Sequence, residues 1–244
     1  MKTIWEDVQA RTSVFESSVE SANDSHALIQ LREAKKDLDQ ALERLMNEHE
    51  EIYKEIFEMY GKNIHGIKEV EKHFGKLTAA EKLKLFHIPF SRETLEACKD
   101  THVLVVDVGV SLLEIKSKNI DLFRDKDLDD THEFALRTDA ICWRLIRKTP
   151  VENSFDKTWN EQLEGIDSDF EEVPSVRQVV YAIILHFLTT NDRLFKRTNV
   201  RTSDVVLNLN HVDVGFFDGG GLSVNGGFDR GRYDNVGVSS SRKS

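Results

Sequence analysis

Four side chains have the types that acid–base chemistry recruits: Asp107 and Asp204 as carboxylates, His102 and His211 as imidazoles. Together they would describe a hydrolase. Asp107 ends the apolar run from His102 to Val106, and His211 stands before a glycine-rich stretch, so both also have ordinary structural readings. No nucleophile elbow, phosphate loop or HExxH pattern accompanies them. No catalytic residue is assigned, and an enzyme is not expected. Metal chemistry has no better footing. Cys98 and Cys142 stand alone, and His65, His73 and His87 are spaced by eight and fourteen, which gathers them on no single helix face. The aspartates Asp121, Asp125, Asp127, Asp129 and Asp130 lack the glycine and terminal glutamate of a calcium loop and read as a solvated linker. No metal site and no cofactor is predicted.

The other chemistry on offer is recognition. Residues 208–241 set Phe216, Phe217, Phe228 and Tyr233 among glycines, asparagines, aspartates and arginines, and contain no Lys, Glu, Gln, Met or Trp. Randomising the two adenines of an Asn codon, AAC or AAT, reaches Asn, Ser, Asp, Gly, Tyr, His, Arg, Phe, Leu and Val but never those five. Turn-rich loops favour a similar set, so composition leaves both explanations open.

The run from Gly215 to Arg242, preceded by the segments Trp143–Ser154, Lys157–Gln162 and Val200–Asp204, resembles the variable proteins of diversity-generating retroelements. The resemblance spans roughly residues 102–244. It implies a C-type-lectin-like domain whose late strands and loops are rewritten by a reverse transcriptase copying a template with adenine errors. On that likeness Asp218, Gly221, Leu222, Val224, Asp229, Arg232, Gly237 and Val238 hold the fold. The displayed, ligand-binding seats would be Phe216, Phe217, Gly219, Gly220, Ser223, Asn225, Gly226, Gly227, Phe228, Arg230, Gly231, Tyr233, Asp234 and Asn235. Aromatics give contact area at low entropy cost while Gly, Ser and Asn adapt, as in antibody paratopes. Glycine is plentiful here and aromatic anchors are few. The late cysteine pair of the sulfatase-activating branch is absent, as are the Glu-Pro-Asn and Trp-Asn-Asp clusters of calcium-dependent sugar sites.

The implied function is a ligand-binding protein that presents a hypervariable surface to a protein or other macromolecule. The alternative is a structural or adaptor protein with a lectin-like domain of fixed specificity. The 244 residues carry 33 Lys+Arg against 43 Asp+Glu, a net charge of −10, which argues against nucleic acid held by bulk charge. With 39% hydrophobic residues the chain can build a core. Met-Lys-Thr-Ile-Trp-Glu-Asp turns acidic too early for a signal peptide, and the apolar stretch at 179–188 is too short for a bilayer, so a cytoplasmic protein without a membrane partner is expected.

The elements that must position these residues follow from periodicity. Leu31, Lys35, Leu38, Leu42, Leu45, His49, Ile52, Ile56 and Met59 form a heptad run, after a shorter pattern at Trp5, Val8, Phe15, Val19 and Ala22. A helical hairpin or a self-associating coiled coil satisfies it, the latter making a homo-oligomer through the N-terminal helices. From His102 the period becomes that of strands, at His102–Val110 and Ile141–Arg147; Pro174 then opens a helix apolar almost all round, and strands return after Asn199. The expected fold class is α+β: a helical, coiled-coil-like region at 1–100, then a C-type-lectin-like domain at 101–244 with helices segregated from a late antiparallel sheet.

Overall fold

The computed structural model describes residues 29, 33, 36, 37, 53–124, 131–206 and 210–244. The chain divides into two compact units, Met1–Glu58 and Met59–Ser244. In the smaller, the described residues are helical, and Tyr53 and Phe57, one turn apart, stack with ring centroids 6.0 Å apart.

The larger unit is α+β with two sheets. The first contains β1 (Ile64–His65), β2 (His102–Asp107), β3 (Cys142–Arg147), β4 (Glu171–Glu172) and β9 (Ser241–Arg242), in the order β1-β2-β3-β9-β4. Every residue of β2 is buried, which explains a β-branched run without alternation. β2 pairs antiparallel with β3, from His102 opposite Arg147 to Asp107 opposite Cys142. The second sheet contains β5 (Asn199–Val205), β6 (His211–Asp218), β7 (Gly221–Gly226) and β8 (Val236–Val238), in the order β7-β6-β5-β8.

Between these strands the chain forms α1 (Ile67–His73), α2 (Ala79–Lys84), α3 (Arg92–Cys98), α4 (Leu112–Lys118), α5 (Glu133–Leu136), α6 (Trp159–Leu163) and α7 (Val176–Thr190). Helix α7 organises the core. It packs against β1, β2 and β3 on one side and β5 and β6 on the other. Eight of its apolar residues, Val176 and Val179 to Leu185, are therefore no more than 1% exposed, so its apolar pattern runs almost all round. Ser175 and Gln178 close a capping box at its start, and Asn191, left-handed at φ 60°, ends it.

The coiled-coil-like region followed by a lectin-like domain is corrected by this arrangement. Of the nine heptad seats only Ile56 and Met59 lie among the described residues, and no coiled coil is found among those residues. Leu31, Lys35, Leu38, Leu42, Leu45, His49 and Ile52, the earlier pattern from Trp5 to Ala22, and the homo-oligomer read from these helices all lie outside them. Residues 61–100 are not part of a separate helical region. Ile64 and His65 are a strand, paired in parallel with β2, and α1 packs on α7. Helices of six or seven residues cannot stand alone, and here α1 leans on β1 as well as on α7.

The late sheet is also not purely antiparallel. β8 runs parallel to β5, and the extended stretch from Val236 to Arg242 splits between the two sheets, with β9 pairing β3 and β4. Local pattern shows that a stretch is extended; it does not show which distant strand accepts its hydrogen bonds.

Candidate functional site

The C-terminal segment is a hairpin, β6–β7, followed by a loop from Gly227 to Asn235 that returns to β8. Two glycines make the hairpin possible. Gly215, at φ +155°, brings its Cα so near Thr198 that a Cβ would meet the carbonyl oxygen at 2.1 Å. Gly221, at φ +103°, would set a Cβ 2.7 Å from the Arg124 amide nitrogen. Between Gly215 and Asp218 the ladder slips, and Phe216 takes φ 41°.

The loop is held from beneath by Arg201, which has no exposed surface. One terminal nitrogen of its guanidinium donates to the Lys157 carbonyl at 3.1 Å and to Gln162 Oε1 at 2.9 Å. The other donates to the carbonyls of Phe228 at 2.9 Å and Gly231 at 3.0 Å. Four acceptors in a fixed fork are a geometry that Lys could not reproduce. Burial lowers the Arg201 pKa, with Asp229 and Asp213 opposing, and burial raises that of Asp213 to about 6, against the pull of Arg201. Asp213 accepts from the Asn199 side-chain amide at 2.9 Å.

Around this centre the segment divides in two. Asp229 is held by its carboxylate, which accepts from the His211 amide and meets His211 Nδ1, each at 2.8 Å. His211 lies flat on Trp159, centroids 3.6 Å apart. Arg232 donates to the Asp156 carbonyl at 3.0 Å and to Glu161 at 2.6 Å. Asp218 accepts from Arg124 at 2.6 Å. Leu222 and Val238 are wholly buried, and a Cβ on Gly237 would meet Ser154 Oγ at 2.5 Å. These residues are fixed by their own side chains, or by having none.

Their neighbours are fixed by the main chain. The carbonyls of Phe228 and Gly231 accept from Arg201, that of Tyr233 from the Asp156 amide, and that of Asn235 from the Asn199 amide. Gly227 donates its amide to the His211 carbonyl, Gly220 to Asp218, and Phe216 to the Thr198 carbonyl. Among the described residues, the side chains of Phe228, Arg230 and Asp234 make no hydrogen bond, and Phe228 is 69% exposed. Gly219, Gly220, Asn225, Gly226, Arg230, Tyr233 and Asp234 are also exposed, while Phe216, Gly227, Gly231 and Asn235 are half-buried. A side chain on Gly219 would enter open space.

Two of the fourteen seats are interior. Phe217 has no exposed surface and meets Phe187 edge to face at 5.1 Å. Ser223 is 2% exposed and accepts from Asn225. Both follow from strand alternation across the slipped ladder, which the spacing of aromatics and glycines does not reveal. The residues that hold the loop, Arg201, Trp159 and Asn199, lie outside the segment; a buried arginine in a strand pattern was the one signal they offered.

The acid–base candidates are engaged elsewhere. Asp107 receives both terminal nitrogens of Arg177, at 2.9 and 2.6 Å, Arg144 Nε at 2.7 Å and the Gly109 amide at 2.9 Å. Asp204 caps α7 through the Val176 amide at 2.8 Å and pairs with Arg137 at 2.9 Å. His102 bonds Thr101, and its pKa is lowered to about 3, first by burial and then by Arg147 and Arg242. His102 and Asp107 sit at opposite ends of β2, roughly 16 Å apart.

Among the described residues there is no cluster of three or more His, Cys, Asp or Glu able to hold a metal ion, and no helix long and apolar enough to cross a membrane. Of the aspartate loop only Asp121 is described. Compared with known protein families, curated proteins and solved structures, the chain matches none.

Proposed function

We propose that this is a ligand-binding protein whose C-terminal segment, 208–241, displays a surface diversified by a retroelement and recognises a protein or other macromolecule. The observation that supports this reading most is the division just described. Side chains that would vary are anchored through backbone atoms, which every residue possesses, and side chains that would hold the fold are anchored through their own atoms. A surface that must accept many sequences on one backbone needs that separation.

The displayed set narrows to the exposed and half-buried seats with room for a side chain; Phe217 and Ser223 drop out because they face the interior, and Gly226 and Gly227 because a Cβ there would meet Val206 at 2.8 Å and Asp213 Oδ2 at 2.6 Å. Phe228 and Tyr233 supply the aromatic contact area, and Arg230 and Asp234 supply charge. The test is to sequence the DNA flanking the gene. The expected result is a near-copy of the segment encoding Phe216 to Ser241, differing only where the copy has adenine, with a reverse-transcriptase gene beside it. Flanks with neither would overturn the diversified surface and leave an adaptor of fixed specificity.

A further inference from the structure

Where α7 ends, the larger unit carries a cavity of about 350 Å³. Its lining includes four cations, Lys62, Lys148, Arg193 and Lys196, against one carboxylate, Asp192, with His186 among the wall residues. Such a concentration of positive charge is out of character for a chain of net charge −10.

Three of the four cations make no ion pair among the described residues. Lys62 pairs with Asp192. Near the end of α7 the carbonyls of Leu185, His186 and Phe187 are met from within the helix and its cap: Thr189 donates to Leu185 at 2.8 Å, Thr190 to His186 at 2.7 Å, and the Asn191 amide to Phe187 at 2.8 Å. Among the described residues, Lys148, Arg193 and Lys196 have no carboxylate within ion-pair distance. Arg193 lies over the rings of Phe187 and Phe217, at 4.6 and 5.0 Å, and its Nε is buried without a partner. Burial, and then Lys62, lowers the Lys148 pKa against the opposing charge of Asp100.

His186 adds a neutral donor. Its Nδ1 lies 2.9 Å from His65 Nε2. His65 Nδ1 is buried without a partner, and an empty lone pair costs less there than an orphaned N–H. The hydrogen of His65 therefore belongs on Nε2, donated to His186, and His186 carries its own on Nε2. Burial, and then His186, lowers His65 to about 3; burial lowers His186 to about 4, with Asp192 opposing and Lys62 and Lys148 assisting, so neither adds a charge at neutral pH.

We infer that this cavity binds a small polyanion bearing phosphoryl groups, held by Lys148, Arg193 and Lys196. Three positive charges without an ion-pair partner among the described residues match a phosphomonoester or a diphosphate, whereas a single carboxylate would leave two of them unanswered. The site is independent of the diversified-surface reading and asks nothing of the loop from Gly227 to Asn235.

The experiment is calorimetric titration of the full chain with inorganic pyrophosphate. The expected result is saturable binding of one molecule per chain, weakened by added salt and weaker still with inorganic phosphate. Lys148→Ala with Lys196→Ala, checked for folding by circular dichroism, should weaken binding by roughly tenfold or more. Lys84→Ala with Lys99→Ala, both exposed and away from the lining, should leave it unchanged. Absence of saturable heat at about 1 mM pyrophosphate, or equal losses in the two double variants, would overturn the site. If the first double variant does not fold, Lys196→Glu alone replaces it. Binding that this variant leaves unchanged would be equally fatal.

Discussion

Among the described residues two arginines are buried, and they are satisfied in opposite ways. Arg177, on α7, meets the carboxylate of Asp107 through both terminal nitrogens and Asp139 at 3.0 Å. Arg201, on β5, bonds three main-chain carbonyls and one side-chain amide oxygen. Burial alone lowers the pKa of both. At Arg177 the two aspartates reverse the direction, and at Arg201 the more distant Asp229 and Asp213 only soften it. The contrast lies in what each arrangement demands of sequence. A carboxylate partner must stay a carboxylate, while a carbonyl partner can belong to any residue, so the second arginine can hold a loop whose side chains are free to change.

The largest effects should come where side chain meets side chain. Asp107→Ala strands a guanidinium that is 3% exposed, and should cost about 3–5 kcal/mol in urea unfolding. Phe217→Ala should cost about 3–4 kcal/mol, because it empties a place against Phe187 and Arg193. A loss below about 1 kcal/mol at either site would break the comparison. Arg201→Met comes next. It leaves Gln162 Oε1 and the carbonyls of Lys157 and Gly231 unpaired, the last of them at the surface loop where water can replace the bond, while the Phe228 carbonyl keeps only the Gly231 amide. A cost of about 2–4 kcal/mol is expected, with faster trypsin cleavage at Arg230 or Arg232 as the loop loosens. A cost without faster cleavage would mean that Arg201 supports the core and not the loop.

Asp213 sharpens the same comparison by pH. Its folded pKa, about 6, lies above the unfolded value of 3.8, so the native state holds the extra proton between those values. The contribution of this group to stability is greatest below pH 4, declines as pH rises, and is lowest above pH 6. Asp213→Asn lacks that decline. It should gain on the parent by at most about 3 kcal/mol between pH 4 and pH 7, read as the difference between urea midpoints. Were Asp213 a true ion-pair partner of Arg201, the variant would instead lose stability at pH 7.

Much of the scaffold is readable from residue order, and the reasons it fails elsewhere are physical. Helix α7 is legible because Pro174, Ser175 and a pattern apolar almost all round point to a buried helix, and β2 is legible from its β-branched run, while β3, β6 and β7 are legible as short extended stretches bounded by turn residues. β1 is not: two residues, Ile64 and His65, have no period, and only the neighbouring edge of β2 makes them a strand. The same applies to β8, whose parallel partner lies more than thirty residues away. Within the site, Asp229 and Arg232 could be marked as scaffold and Phe228 and Arg230 as displayed. Phe217 could not be told from Phe216, because the slip in the β6–β7 ladder that turns one inward depends on Gly215 meeting Thr198.

The smallest effects belong to the displayed seats, and they bear hardest on the function. Phe228→Ser, Arg230→Ser and Asp234→Ser should each shift stability by less than about 0.5 kcal/mol, since none of these side chains has a hydrogen-bond partner among the described residues. Tyr233→Ser should cost slightly more, because its ring stands 5.9 Å from the Arg201 guanidinium, a weak attraction of about 0.5–1 kcal/mol. Urea denaturation of the four single variants and of the combination checks this. A near-additive sum means that the loop keeps its shape with most of its surface replaced, as a diversified binder requires. A cost above about 1.5 kcal/mol at Phe228 or Arg230 would show that these side chains hold the loop themselves. Arg201 would then no longer support the proposal that one backbone carries many sequences.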